Sequence, residues 1–134
     1  MKVALFIALV LCAALTGCSD LGTPPVDGTP QLNEDVNGLT ISYVRGQKFN
    51  LYLDSQIDAG CQWDYTLSDS TVVSVEGNVT YRSNNPSVPG GLATATVHFC
   101  TGHLGKCDVT MFEHQRWMIG VPPSKTVSFT VLVQ

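Results

Sequence analysis

The chain has 134 residues, enough for one domain with a single core. With 7 Lys and Arg against 11 Asp and Glu, a net charge of −4, it lacks the basic face that a phosphate backbone requires, which excludes nucleic acid as a partner. Charged residues make up only 13%, and Val, Thr, Tyr and Phe are frequent, which points to a packed β protein and not a disordered one.

One basic residue, Lys2, opens the chain, and an apolar run follows from Val3 to Leu15. That run is shorter than the roughly 20 apolar residues a bilayer core needs, so it reads as an export signal and not a spanning helix. It closes on Leu15-Thr16-Gly17-Cys18, small residues and then a cysteine. This order resembles the lipobox of bacterial lipoprotein signals. The resemblance implies cleavage before Cys18, a lipid on its sulfur, and an exported protein anchored by acyl chains to the cell envelope. Ser19 follows where no aspartate stands, which resembles the outer-membrane address of Gram-negative lipoproteins. The alternative is an ordinary secretory signal with an incidental cysteine. Residues 1–17 are thus expected as signal. Residues 18–35, rich in Pro, Gly and Asp, are expected as a lipidated flexible tether, and 36–134 as the folded domain.

From Val36 onward the hydrophobic period is two. Leu39, Ile41 and Tyr43 alternate with polar partners, as do Phe49, Leu51 and Leu53, and then Trp63, Tyr65 and Leu67. Val73 and Val75 follow, then Val79 and Tyr81, then Leu92 to Phe99, Val109 and Met111, and finally Val127 to Val133. Turn chemistry separates them, as at Arg45-Gly46, Ser68-Asp69-Ser70, Asn84-Asn85-Pro86 and Pro122-Pro123. Seven or eight short strands at this spacing predict an all-β, immunoglobulin-like β-sandwich with no helix of useful length after the signal.

Three inter-strand segments stand out: Ser55 to Trp63, Asn84 to Gly91, and Glu113 to Trp117. Their order and spacing over Leu39–Val133 resemble the chagasin-like inhibitors of papain-type cysteine peptidases. That family's first loop carries an Asn-Pro-Thr-Thr-Gly-aromatic-x-Trp pattern, and Gly60 and Trp63 hold its glycine and tryptophan places. Gly90-Gly91 matches the end of its Gly-rich second loop, and Trp117 the tryptophan of its Arg-Pro-Trp third loop. Asp58-Ala59 stands where the family has its threonine pair, and Cys61 replaces the aromatic residue. Ungapped, Gln115 and Arg116 occupy the Arg and Pro places; a one-residue shift would let Arg116 do the arginine's work.

The resemblance implies a monomeric, reversible inhibitor with no catalytic activity and no cofactor. Its partner would be a papain-like cysteine peptidase, with Asp58, Ala59, Gly60, Cys61, Trp63, Gly90, Gly91, Arg116 and Trp117 on three loops lined up as a wedge. Trp63 itself reads more readily as a buried sandwich-core tryptophan than as a contact residue, and the glycine pair reads equally as simple turn formers. The departures leave an alternative function, a non-inhibitory, lipid-anchored immunoglobulin-like module that binds a protein or glycan or serves the envelope.

Of the five cysteines, Cys12 belongs to the signal and Cys18 to the lipid, which leaves Cys61, Cys100 and Cys107. Export permits disulfides. Cys100 and Cys107 flank a Gly-containing turn, so a cross-strand disulfide is expected between them, with Cys61 the free thiol. His98, Cys100, His103 and Cys107 also invite a zinc reading, although their spacing fits no standard site. No Gly-x-Ser-x-Gly, phosphate-loop or dinucleotide pattern is present. Asp54, Asp58 and Asp64 read as solvated loop carboxylates.

Overall fold

The structure, a computed structural model, describes residues 28–134. The expected signal, the lipidation site Cys18 and the first part of the tether lie outside the described residues. Among the described residues, nine strands form two mixed sheets. One sheet contains β1 (Gln31–Leu32), β3 (Lys48–Ser55), β7 (Ala93–Thr101), β5 (Val73–Val75) and β6 (Thr80–Ser83). The other orders β2 (Thr40–Tyr43), β9 (Lys125–Val133), β8 (Gly105–Gln115) and β4 (Cys61–Leu67). All pairings are antiparallel except β1 with β3 and β2 with β9. Strands β5 and β6 share one edge of β7, against its C-terminal and N-terminal halves respectively.

The period-two pattern is what builds this sandwich. Alternate side chains of a strand face opposite sides of its sheet, so Phe49, Leu51 and Leu53 enter the core together. Val97 and Phe99 join them from β7, Val109 and Met111 from β8, and Phe129 and Val131 from β9. Tyr43 stacks on Phe49 at 4.7 Å, Phe49 on Phe99 at 4.8 Å, and Phe129 meets Phe99 edge-on at 6.2 Å. Each such buried ring stabilises the fold by roughly 1.5–3 kcal/mol through burial alone, and a favourable pair geometry adds about 0.5–1.5 kcal/mol.

All eight strands expected from the alternation are present. The ninth, β1, arises inside the segment expected to be tether. Leu32 packs partly against the core, and Val36, in the short 3-10 turn Glu34–Val36, is buried in it. The Asn33 side chain caps that turn by accepting from the Asp35 N–H. The Glu34 carboxylate then accepts from the Asp54 N–H at 2.9 Å and from Lys125 Nζ at 3.0 Å. A two-residue strand carries too little periodicity to be read from sequence; long-range pairing with β3 makes it.

The expected disulfide does not form: Cys61, Cys100 and Cys107 are all free thiols. The turn between β7 and β8 is not a hairpin within one sheet but a crossing from one sheet to the other. Cys100 sits on the outward side of its strand, while Cys107 faces the core from the opposite sheet. For the same reason His98 and Cys100 do not converge with Cys107, and among the described residues no group of three or more His, Cys, Asp or Glu side chains is placed to hold a metal.

The pairing registers fix two poles. Ser55 opposes Ala93, Cys61 opposes Gln115, and Glu113 opposes Lys125, so the three long inter-strand segments leave the sandwich at one end. At the other end the β2–β3 and β7–β8 turns meet, with the Thr101 hydroxyl donating to the Val44 carbonyl at 2.8 Å. Strand β1 runs parallel to β3, so residues 28–30 enter at this second pole.

Candidate functional site

The first loop leaves β3 at Ser55, makes a 3-10 turn over Ile57–Ala59 and returns at Gly60, whose φ is 77°. A residue with a Cβ resists that backbone conformation. The second loop spans residues 84–92 and the third 116–124. The Gly90 N–H donates to the Asp58 carboxylate at 2.6 Å, tying the second loop to the first. Gln115 Nε2 donates to the Ala59 carbonyl at 2.7 Å, and the Trp117 indole lies over Gly60, tying the third loop to the first. A Cβ at Gly60 would run into the Trp117 ring, so close approach as well as φ selects glycine there.

Trp117 stays 65% exposed although one side rests on Gly60. Met118, Ile119 and Val121 continue this exposed apolar surface along the third loop, with Ile119 93% exposed. Val88 and Leu92 add to it from the second loop. Large apolar side chains presented together on cross-tied loops are the composition of an interface and not of an ordinary solvated end.

Beneath the loops lies a polar hub. Glu113, on β8 at the core-facing parity of Val109 and Met111, is only 5% exposed. Its carboxylate accepts from the Ser55 hydroxyl at 3.2 Å and the Gln56 N–H at 3.3 Å, while the Ser124 hydroxyl donates to the Glu113 carbonyl at 3.1 Å and lies 3.5 Å from the carboxylate. The Ser124 N–H also donates to the Glu113 carbonyl at 2.8 Å. One residue, its carboxylate on the first loop and its carbonyl on the third, therefore holds the bases of the two loops together. Cys61, the first residue of β4, is buried beside it; burial and then the Glu113 charge push its thiol pKa up. A thiol so placed is held in the protonated, weakly nucleophilic form.

A cleft of about 510 Å³ opens above the hub, between the first and third loops. Its walls include Ala59, Leu92, Met118, Val121 and Pro122, with Glu113 among its lining residues.

The residues singled out from sequence divide into two sets. Asp58, Ala59, Gly60, Gly90, Gly91, Arg116 and Trp117 do come together on the loops of this pole. Trp63 is a core residue at 2% exposure, with its indole N–H donating to the Asp54 carbonyl at 3.1 Å and its backbone N–H to the Tyr81 hydroxyl at 2.8 Å. It supports the first loop from below. Cys100 lies away from this pole, opposite Lys48 in the register, and Cys107 lies in the core. Sequence reasoning missed Glu113 as the hub and the apolar stretch Met118–Val121. The signal for Glu113 was a charged residue at an inward position of an alternating strand.

The family model described as Chagasin family peptidase inhibitor I42 matches residues 43–131. The chain belongs to the chagasin family. The match covers every strand from Tyr43 to Val131, and with them all three loops of the pole. Among solved structures, the cysteine protease inhibitor EhICP2 from Entamoeba histolytica aligns with a TM-score of 0.69 at 15% identity, covering 79% of this chain and 96% of that one. Amebosin, solved in solution, aligns at 0.62 with 19% identity, covering 79% of this chain and 98% of that one. At these identities the likeness is one of fold: the immunoglobulin-like sandwich of the family. A comparison with curated proteins gives no match. Family membership places the chain among peptidase inhibitors.

Proposed function

We propose that this protein is a reversible inhibitor of papain-like cysteine peptidases that occupies the target's active-site cleft with its three-loop pole. The observation that carries this reading is the cross-tied pole itself: three loops, held by the Asp58–Gly90 and Ala59–Gln115 hydrogen bonds and the Gly60–Trp117 contact, presenting exposed Trp117 and Ile119. Loops fixed before docking lose little conformational freedom on binding, and a large exposed indole is the residue type most often found at binding hot spots. Blockage would come from occupancy and not from covalent chemistry. Cys61, among the described residues the one thiol near the loops, is buried with its pKa pushed up, and we read the protein as having no catalytic activity of its own.

The working residues in this reading are Asp58, Ala59, Gly60, Gly90, Gly91, Arg116 and Trp117, with Trp63 and Cys61 beneath them. Titrating the purified protein against several papain-type enzymes tests it. Dose-dependent, reversible inhibition is expected; none at micromolar protein across the panel overturns it.

The export and anchoring proposal extends this. We read Cys18 as the lipid-bearing residue of an envelope lipoprotein, with a monomeric domain held off the membrane. What supports it is the Leu15–Cys18 pattern, and the described chain enters at the pole opposite the loops. Replacing Cys18 by serine is expected to release the protein from the membrane fraction. A second reading, a non-inhibitory binding module, is favoured by one observation: the first loop carries the Asp58 carboxylate, already engaged by Gly90, where the family has its threonine pair.

A further inference from the structure

The Glu113 carboxylate is the least explained charge in the domain. It is nine-tenths buried, and among the described residues no cation lies within ion-pair distance of it. Its two donors are neutral and distant, at 3.2 and 3.3 Å, outside the range of strong charge-assisted hydrogen bonds, and the Ser124 hydroxyl, 3.5 Å away, donates to the Glu113 carbonyl instead. Buried charges are ordinarily paired, because an unpaired one is costly to desolvate. Yet Glu113 also lines an open cleft whose lining combines the apolar Ala59, Leu92, Met118, Val121 and Pro122 with polar residues, the acidic Asp54 among them. Lys125 reaches the rim, but its ammonium is committed elsewhere, 3.0 Å from the Glu34 carboxylate and 5.9 Å over the Trp63 ring. His114, the other basic group at the cleft, is 2.6 Å from Asp64.

We propose that this cleft is a binding site for an alkylammonium or alkylguanidinium group, the side chain of a lysine or arginine of the docked protein, with its charge seated on Glu113 and its methylene stem against the aliphatic walls. Apolar walls beside the buried Glu113 carboxylate, with Asp54 also on the lining, fit such a side chain better than a neutral or an acidic one. The anionic floor repels a carboxylate, and a purely apolar group would leave Glu113 as poorly paired as before. The site is a specificity element: it selects peptidases that carry a basic side chain at the rim of their cleft. That a peptidase supplies the side chain rests on the inhibitory reading above; that the cleft takes an organic cation does not.

The test uses n-butylammonium and n-butylguanidinium as probes and 1-butanol as the neutral control, titrated into the isotope-labelled full chain in detergent. The reporters are the amide resonances of Gln56, which donates to the carboxylate, and of Ser124. Saturable shifts are expected with both cations, at least tenfold weaker with butanol and in Glu113→Gln. Equal response to butanol, or undiminished binding of the cations in Glu113→Gln, overturns the site.

A second measurement does not depend on that variant folding. A cation on Glu113 cancels the charge that helps to raise the Cys61 pKa, so butylammonium is expected to shift thiol ionisation to lower pH in the unmodified chain. No shift at saturating butylammonium counts against the proposal in the same way. For a peptidase that the chain inhibits, Glu113→Gln is expected to weaken inhibition about tenfold, and unchanged inhibition across all inhibited enzymes overturns the peptidase as the source of the cation. If no peptidase is inhibited, the inhibitory reading falls while the probe titrations still decide whether the cleft binds a cation.

Discussion

Trp117 and Glu113 divide the work of the loop pole. Trp117 faces solvent and offers area; Glu113 faces inward and holds the loops that carry it. Trp117→Ala is therefore expected to weaken inhibition by at least about 2 kcal/mol, roughly thirtyfold in the inhibition constant. Stability should stay within about 0.5 kcal/mol, read by denaturant melts, because the exposed indole contributes little to the core. Tyr43 gives a pH signature. Burial pushes its hydroxyl up to about 12 from 10.0. The unfolded chain thus loses this proton first, and the folded form becomes relatively less stable as pH rises from about 10 towards 12. Tyr43→Phe should flatten that alkaline limb of a stability profile while leaving the region below pH 9 parallel to wild type.

At the scale of elements, the segment from Gln31 to Val36 behaves as part of the sandwich. It pairs with β3, closes the core with Val36 and links Asp54 to Lys125 through Glu34. Val36→Ala is expected to destabilise the domain by about 1–2 kcal/mol, measured by the shift in urea midpoint at unchanged slope. Had this segment been only tether, the change would be silent. The crossing between β7 and β8 makes the second element-level prediction. Cys100 and Cys107 belong to different sheets and face different ways, so a reducing agent should leave the melting temperature of the purified protein unchanged. A drop on reduction would restore the disulfide that the spacing of the two cysteines suggested.

Across the whole molecule, one aromatic line runs from Tyr43 through Phe49 and Phe99 to Phe129, joining both sheets. Phe99 is at its centre, and Phe99→Ala is expected to cost about 3–5 kcal/mol in equilibrium unfolding. The loss should be global, not confined to one sheet, because both sheets pack on that ring. The two-pole layout follows from the same packing. A stiff body separates the end where the described chain enters from the end where the loops leave.

Strand identity and strand parity were legible in the amino-acid order alone. Side chains alternate strictly along a strand, so Phe49, Leu51, Leu53, Val97, Phe99, Val109 and Met111 announce their shared face without reference to any partner. The loop tips were legible too, since Gly60, Gly90 and Trp117 are residues whose backbone freedom or size has meaning locally. What the order could not contain is which sheet each strand joins. That choice is made by contacts between residues far apart in the chain, and it sends Cys100 and Cys107 to separate sheets, draws Gln31–Leu32 into pairing and brings Ser55, Glu113 and Ser124 together under the loops, whereas the core place of Trp63 was already the favoured reading of its sequence. Local chemistry sets the faces of the strands; only long-range packing decides what those faces meet.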